Sequence, residues 1–251
     1  MKFEFVPTLE KLKDLYGIPV GPARFQAYID TVVGGAQRSA ELLLAPLVQA
    51  NPMAKIHALE CVETWIGLGA EESARAILEE VELGFAAIPF KKGVKVGFTM
   101  LDDLKGGWTH RTINDTARFK TGEALERTGW VSLPLWTSEV PMLGSLRPLV
   151  LEGAFRAGYV SKYGDPQTLA EMLHQEGQVA QFAGRALEFD PDELEYSRAV
   201  IAQYLSSTEQ PVTFACIYGD DAARELGYAP LGLSRYAGFQ VGLANALEGQ
   251  P

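Results

Sequence analysis

Two carboxylates, a guanidinium and a phenol stand out for their spacing. Glu152, Arg156 and Tyr159 fall on one stripe of a helical pattern over 148–163, and Glu176 lies at the centre of the apolar stripe of the next pattern, between Leu173 and Ala180. A carboxylate on an apolar face must be paired, coordinated or protonated, because an isolated buried charge is prohibitively costly. Only Gly164-Asp165-Pro166-Gln167 joins the two patterns. So short a link predicts an antiparallel hairpin that turns Glu176 toward Glu152, Arg156 and Tyr159. Paired carboxylates in a cleft acquire shifted pKa values and can do acid–base work, so Glu152 and Glu176 are the candidate catalytic residues. Arg156 and Tyr159 are the candidate binding residues beside them. The competing reading of the same four groups is a buried ion-pair network that only locks two helices together.

Glu171 and His174 form a Glu-x-x-His step, the unit from which di-iron bundle sites are built. On the helical wheel both point away from the apolar stripe, with Gln175, Gln178 and Gln181, so that face is expected to be wet. His57 with Glu60 is the nearest second pair, and it too points away from its own apolar face. No metal site follows, and both histidines are expected at the surface. The stretch 106–122, GGWTHRTINDTARFKTG, reads as a long polar loop between two strands. Its Trp108 could stack on a ligand, and His110 and Arg111 could hold an anion at the rim of the cleft. Residues 88–120 carry seven cations against three aspartates, inside a chain of net charge −10. No Gly-rich phosphate loop occurs, and no cofactor is expected.

These groups need elements to hold them. Thr8 can cap a helix that ends at Gly17, and Pro22 opens PARFQAYIDTVV. Asn51-Pro52 reads as cap and first turn of the next helix, and EESARAILEEVELG completes a helical first third. KVGFTMLDDL and WVSLPLWTSEV read as strands, the second at an edge because of Pro134. Helices return at 148–163, 168–183 and 191–206. FACIY, residues 214–218, reads as a short buried strand, and AGFQVGLANAL as a last helix whose Gly238 and Gly242 allow close packing. The expected fold class is α+β, mostly helical, with a small sheet of about three or four strands. The expected division is a helical region 1–88 and an α+β region 89–251 containing the hairpin 148–183.

The stretches LEGAF (151–155), QEG (175–177) and the tail from IYGDD onward resemble the C-terminal half of gluzincin-type zinc peptidases. The resemblance implies that Glu152 matches the general base and Glu176 the third zinc ligand. The two histidine positions of His-Glu-x-x-His hold Leu151 and Phe155, which bind no zinc, so the implied protein is a peptidase-like scaffold without the metal. The reading that results is a protein binding a peptide or small polar ligand in a Glu/Arg/Tyr cleft. The alternatives are an interaction scaffold with a structural ion-pair network, or a hydrolase with an unconventional oxygen-rich metal site. The acidic surface argues against nucleic acid. No apolar run is long enough for a membrane span, the N-terminus lacks a signal-peptide core, and the two cysteines, Cys61 and Cys216, form no framework; a cytoplasmic setting is expected. No feature fixes an oligomeric state.

Overall fold

The computed structural model describes residues 1–34, 43–85, 88, 93–104 and 109–249. Trp108, Gly106, Gly107 and the cations Lys91, Lys92 and Lys105 lie outside the described residues. The elements run β1 (Phe3–Phe5), α1 (Leu9–Gly17), α2 (Pro22–Val33), α3 (Ile56–Gly67), α4 (Ala70–Val81), β2 (Val94–Leu101), α5 (Arg111–Asp115), α6 (Thr121–Thr128), β3 (Trp130–Trp136), α7 (Leu143–Tyr163), α8 (Leu169–Phe182), α9 (Pro191–Ile201), α10 (Gln210–Tyr218), α11 (Asp220–Glu225) and α12 (Ala237–Leu247). The fold is therefore α+β and mostly helical, with one three-stranded sheet among the described residues.

Two compact units divide the chain. The first holds Met1–Asp115 and Thr121–Lys162; the second holds Thr116–Lys120 and Tyr163–Pro251. In the first, the strands are all parallel in the order β1-β2-β3, with Phe5 opposite Val96 and Phe98 opposite Leu133. Parallel neighbours need crossovers, and helices α1 to α4 and then α5 and α6 supply them. Pro134 sits in β3, an edge strand, where its missing N–H removes no ladder bond. Val96, Phe98, Met100, Leu133 and Leu135 enter one core with Leu9, Leu12, Val62 and Trp65 of the helices and Leu146 and Val150 of α7. Among the described residues, no helix is long and apolar enough to cross a membrane.

Several local expectations give way to tertiary partners. Thr8 precedes α1, but its hydroxyl donates to the Phe98 carbonyl at 2.7 Å. Glu71 of α4 caps α1 instead, its Oε1 accepting from the N–H groups of Thr8 and Leu9 at 2.7 and 2.8 Å. Asn51 starts a turn and not a helix: its Oδ1 accepts from the Met53 N–H, and α3 begins only at Ile56. The stretch from Arg111 onward, read as loop, is helical, anchored by buried Phe119 and Leu125. FACIY is the end of α10 and not a strand, with every residue from Thr213 to Tyr218 buried. A five-residue apolar run has the signature of either element, and Pro211 at the first turn is the helix signal that the run itself masks.

The second unit packs around Leu169, Leu173, Leu194, Ile201, Phe214, Tyr218 and Val241, with Phe119 joining from the 116–120 segment. Its tightest contact is between α8 and α12. A Cβ built on Gly177 would lie 2.1 Å from the carbonyl oxygen of Gly242, so only glycine permits this approach. Gly238 likewise sits against the backbone of Ile217. Thr168 and Glu171 form a reciprocal capping box that opens α8.

Candidate functional site

The sheet's C-terminal edge collects polar side chains. β2 ends at Leu101 and hands the chain to Asp102 and Asp103; β3 ends at Trp136 and hands it to Thr137 and Ser138. Thr137 keeps the ladder going for one more bond, its N–H donating to the Leu101 carbonyl at 3.0 Å. The carboxylates of β2 and the hydroxyls of β3 are thereby brought side by side. The C-terminal ends of parallel strands are where open α/β sheets present groups to ligands.

Asp102 is 3% exposed. Its Oδ2 accepts from Asn51 Nδ2 at 3.1 Å, and its Oδ1 lies 2.9 Å from His57 Nε2 and 3.3 Å from the Thr137 hydroxyl. Burial raises the Asp102 pKa, but the hydrogen bonds from His57 and Asn51, the His57 charge and Thr137 outweigh it and hold the carboxyl below its ordinary value. Asp102 is thus ionised and can only accept, so the proton on this contact belongs to His57 Nε2. In the neutral ring the lone pair is then on Nδ1, and Nδ1 has no partner among the described residues. The His57 side chain is 32% exposed. His57 had been expected on the surface of α3; the turn before α3, which holds Asn51 and Ala54, seats it on the end of β2.

Asp103 is fixed by Ser138, whose N–H and hydroxyl donate to it at 3.0 and 2.7 Å. Arg111 lies 3.6 Å from Asp103, pairs with Glu139, donates to the Ser138 hydroxyl and stacks on the Trp136 ring at 4.9 Å. Arg111, expected on a loop at the rim of the Glu152–Glu176 cleft, lies on a helix with Asp103, Ser138 and Glu139 as its partners. His110 serves that helix: its Nδ1 accepts from the Ile113 N–H at 3.4 Å.

Cys61 stands one turn beyond His57 on α3 and is buried. Burial first, then the charges of Asp103 and Glu139, push its thiol up to about 11, which removes it as a nucleophile near neutrality. Tyr16, at the end of α1, is 5% exposed, and its hydroxyl has no hydrogen-bond partner among the described residues. Burial, and next the Asp102 charge, raise its pKa. Arg24 ties this corner together, donating to the carbonyls of Tyr16, at 2.9 Å, and Ala54, at 2.7 Å. The sequence placed none of Asp102, Asn51, His57 and Tyr16 in a ligand site; it read Asn51 as a helix cap and His57 as a surface residue. The Asp102-Asp103 doublet at a strand end was the available signal.

Glu176 is inward, as the wheel requires, at 4% exposure. Inside its own unit it pairs with Arg118, whose Nη1 donates to Oε2 at 2.7 Å and whose guanidinium lies over the Phe239 ring at 4.8 Å. Gln175 donates to Glu176 Oε1 at 3.0 Å and is wholly buried, not on a wet face as expected. Glu152, Arg156 and Tyr159 belong to the first unit, with Arg156 buried and the other two half-buried. Arg198 donates to Asn245 and Glu248. Leu151 is core, and Phe155 packs on that core, where the peptidase resemblance would need histidines. Among the described residues no group of three or more His, Cys, Asp or Glu side chains is placed to hold a metal ion. No family model, no curated protein and no solved structure matches this chain.

Proposed function

We propose that the protein binds a small polar ligand, short peptides included, at the C-terminal ends of β2 and β3, with His57 as a proton acceptor oriented by Asp102. The observation that carries this reading is the His57–Asp102 contact. A buried, ionised carboxylate fixes the imidazole tautomer and leaves Nδ1 as the basic atom of a side chain that is 32% exposed. The unpartnered Tyr16 hydroxyl in the same corner supports it, since a buried polar group without a bond needs an explanation. The peptidase resemblance contributes only the ligand class. The two free, buried cysteines suit the cytoplasmic setting assigned to the chain.

Glu176 supports the structural half of the original alternatives. Its Arg118 partner cannot give up a proton, so that pair is a fixed clamp. A ligand-observed NMR screen of small polar molecules and short peptides separates the two seats. Ligands of the wild type should be lost in His57→Gln and kept in Glu176→Gln. Ligands kept in His57→Gln and lost in Glu176→Gln would move the site to Glu176.

A further inference from the structure

The second unit holds a cleft of its own on the face where Glu171 and His174 first drew attention. It is a hollow of about 110 Å³ walled by Leu173, Leu205 and Ala246, with His174, Gln178 and Asn245 as its polar lining. Small residues make the hollow: Ala170 and Gly242 complete the wall, and no Asp, Glu, Lys or Arg side chain among the described residues lines it.

Two carboxamides face this space with bonding capacity to spare. Asn245 Oδ1 accepts from Arg198 Nε at 3.1 Å, which turns its Nδ2 away as a donor with no partner among the described residues. Gln178 is half-buried on α8, between the turns of His174 and Phe182, and its carboxamide makes no hydrogen bond to the described residues. One amide thus offers donor and acceptor, and the other offers donors, above an apolar floor. Arg198, which holds Asn245, is itself paired with Glu248 at 2.8 Å.

We propose that this cleft is a second binding site, for a small uncharged molecule that carries an amide on a flat apolar body. A primary amide matches Gln178 with its own donor and acceptor and gives its oxygen to Asn245. A charged ligand has no counter-ion in the lining and loses its hydration against leucine and alanine. The site lies wholly in the second unit, so it stands or falls independently of His57.

Benzamide, benzoate and benzylamine share one ring and differ in charge. Each is titrated into the full chain, and the side-chain amide signals of Gln178 and Asn245 and the methyls of Ala170 and Ala246 are followed by NMR. Benzamide should shift them saturably, with the two ions at least about tenfold weaker. Gln178→Leu should weaken benzamide about three- to tenfold, the worth of one neutral hydrogen bond. Gln178→Ala serves the same purpose if the leucine variant does not fold. The proposal is overturned if benzamide leaves these signals in place, if its affinity is unchanged in the Gln178 variant, or if benzoate or benzylamine binds as well.

Discussion

Asp102 and Glu176 are equally buried carboxylates with opposite capacities. Asp102 is held by an imidazole, an amide and a hydroxyl at the open end of a sheet. Glu176 is held by a guanidinium and an amide inside a helix pair that touches backbone to backbone. Arginine stays protonated at any pH the protein meets, so the Glu176 pair can only hold. An imidazole has a second nitrogen beyond the one bonded to Asp102, so on the proposed reading that pair can also pass a proton on. Burial alone does not mark a working acid; the partner's chemistry and its access to solvent do. Glu71 is a third case, held by backbone N–H groups, where the carboxylate works as a helix cap.

The sharpest break of this comparison is at Arg118. Arg118→Met leaves the Glu176 charge buried and should cost about 3–5 kcal/mol in chemical denaturation, whereas the double variant with Glu176→Met should recover most of it. A loss below about 1 kcal/mol for the single change would mean the pair is not a clamp. Next is Gly177→Ala, which drives a methyl into the Gly242 carbonyl. Overpacking costs about 1–3 kcal/mol, and the upper end is expected because the obstacle is backbone. Thermal unfolding of the alanine variant checks it, and an unchanged melting temperature would show that α8 and α12 can separate freely.

Asp102→Asn should cost about 1–3 kcal/mol, since it unbalances a network of buried donors. Its diagnostic is pH dependence. The folded-state pKa lies below the ordinary value, so the stabilisation is present above the unfolded value of about 3.9 and is lost as pH falls through the folded one. Melting curves below about pH 4 should therefore be flatter for Asp102→Asn than for the wild type. Glu71→Gln gives the smallest effect and the opposite slope. Burial raises the Glu71 pKa despite its two backbone bonds, so stability falls as pH rises from the ordinary glutamate value to the raised one. The glutamine keeps an acceptor for Thr8 and Leu9 and removes the charge. Its stability at pH 7 should stay within about 1 kcal/mol of wild type, or exceed it, without that slope.

Much of the architecture was written in local pattern. Period and punctuation placed α2, α8 and α12, because amphipathic spacing, an initial proline and a terminal glycine act over one or two turns; α7 was expected from 148 but begins at Leu143, with Pro148 inside the helix. They also turned Glu176 inward and marked Gly238 and Gly242 as contact points, since a wheel needs only the helix itself. FACIY failed because a buried helix and a buried strand share one composition. Thr8 and Asn51 failed because the groups that claimed them, the Phe98 carbonyl and Asp102, are far away in sequence.

The sequence by itself determined that Glu176 points inward, that β3 lies at an edge and that Gly238 and Gly242 pack closely. Tertiary structure alone decided who partners each acid. His57 and Asp102 are 45 residues apart, and Arg118 and Glu176 are 58 apart. No helical or strand period reaches so far; such pairs exist only once the sheet order and the packing of helices have set them side by side.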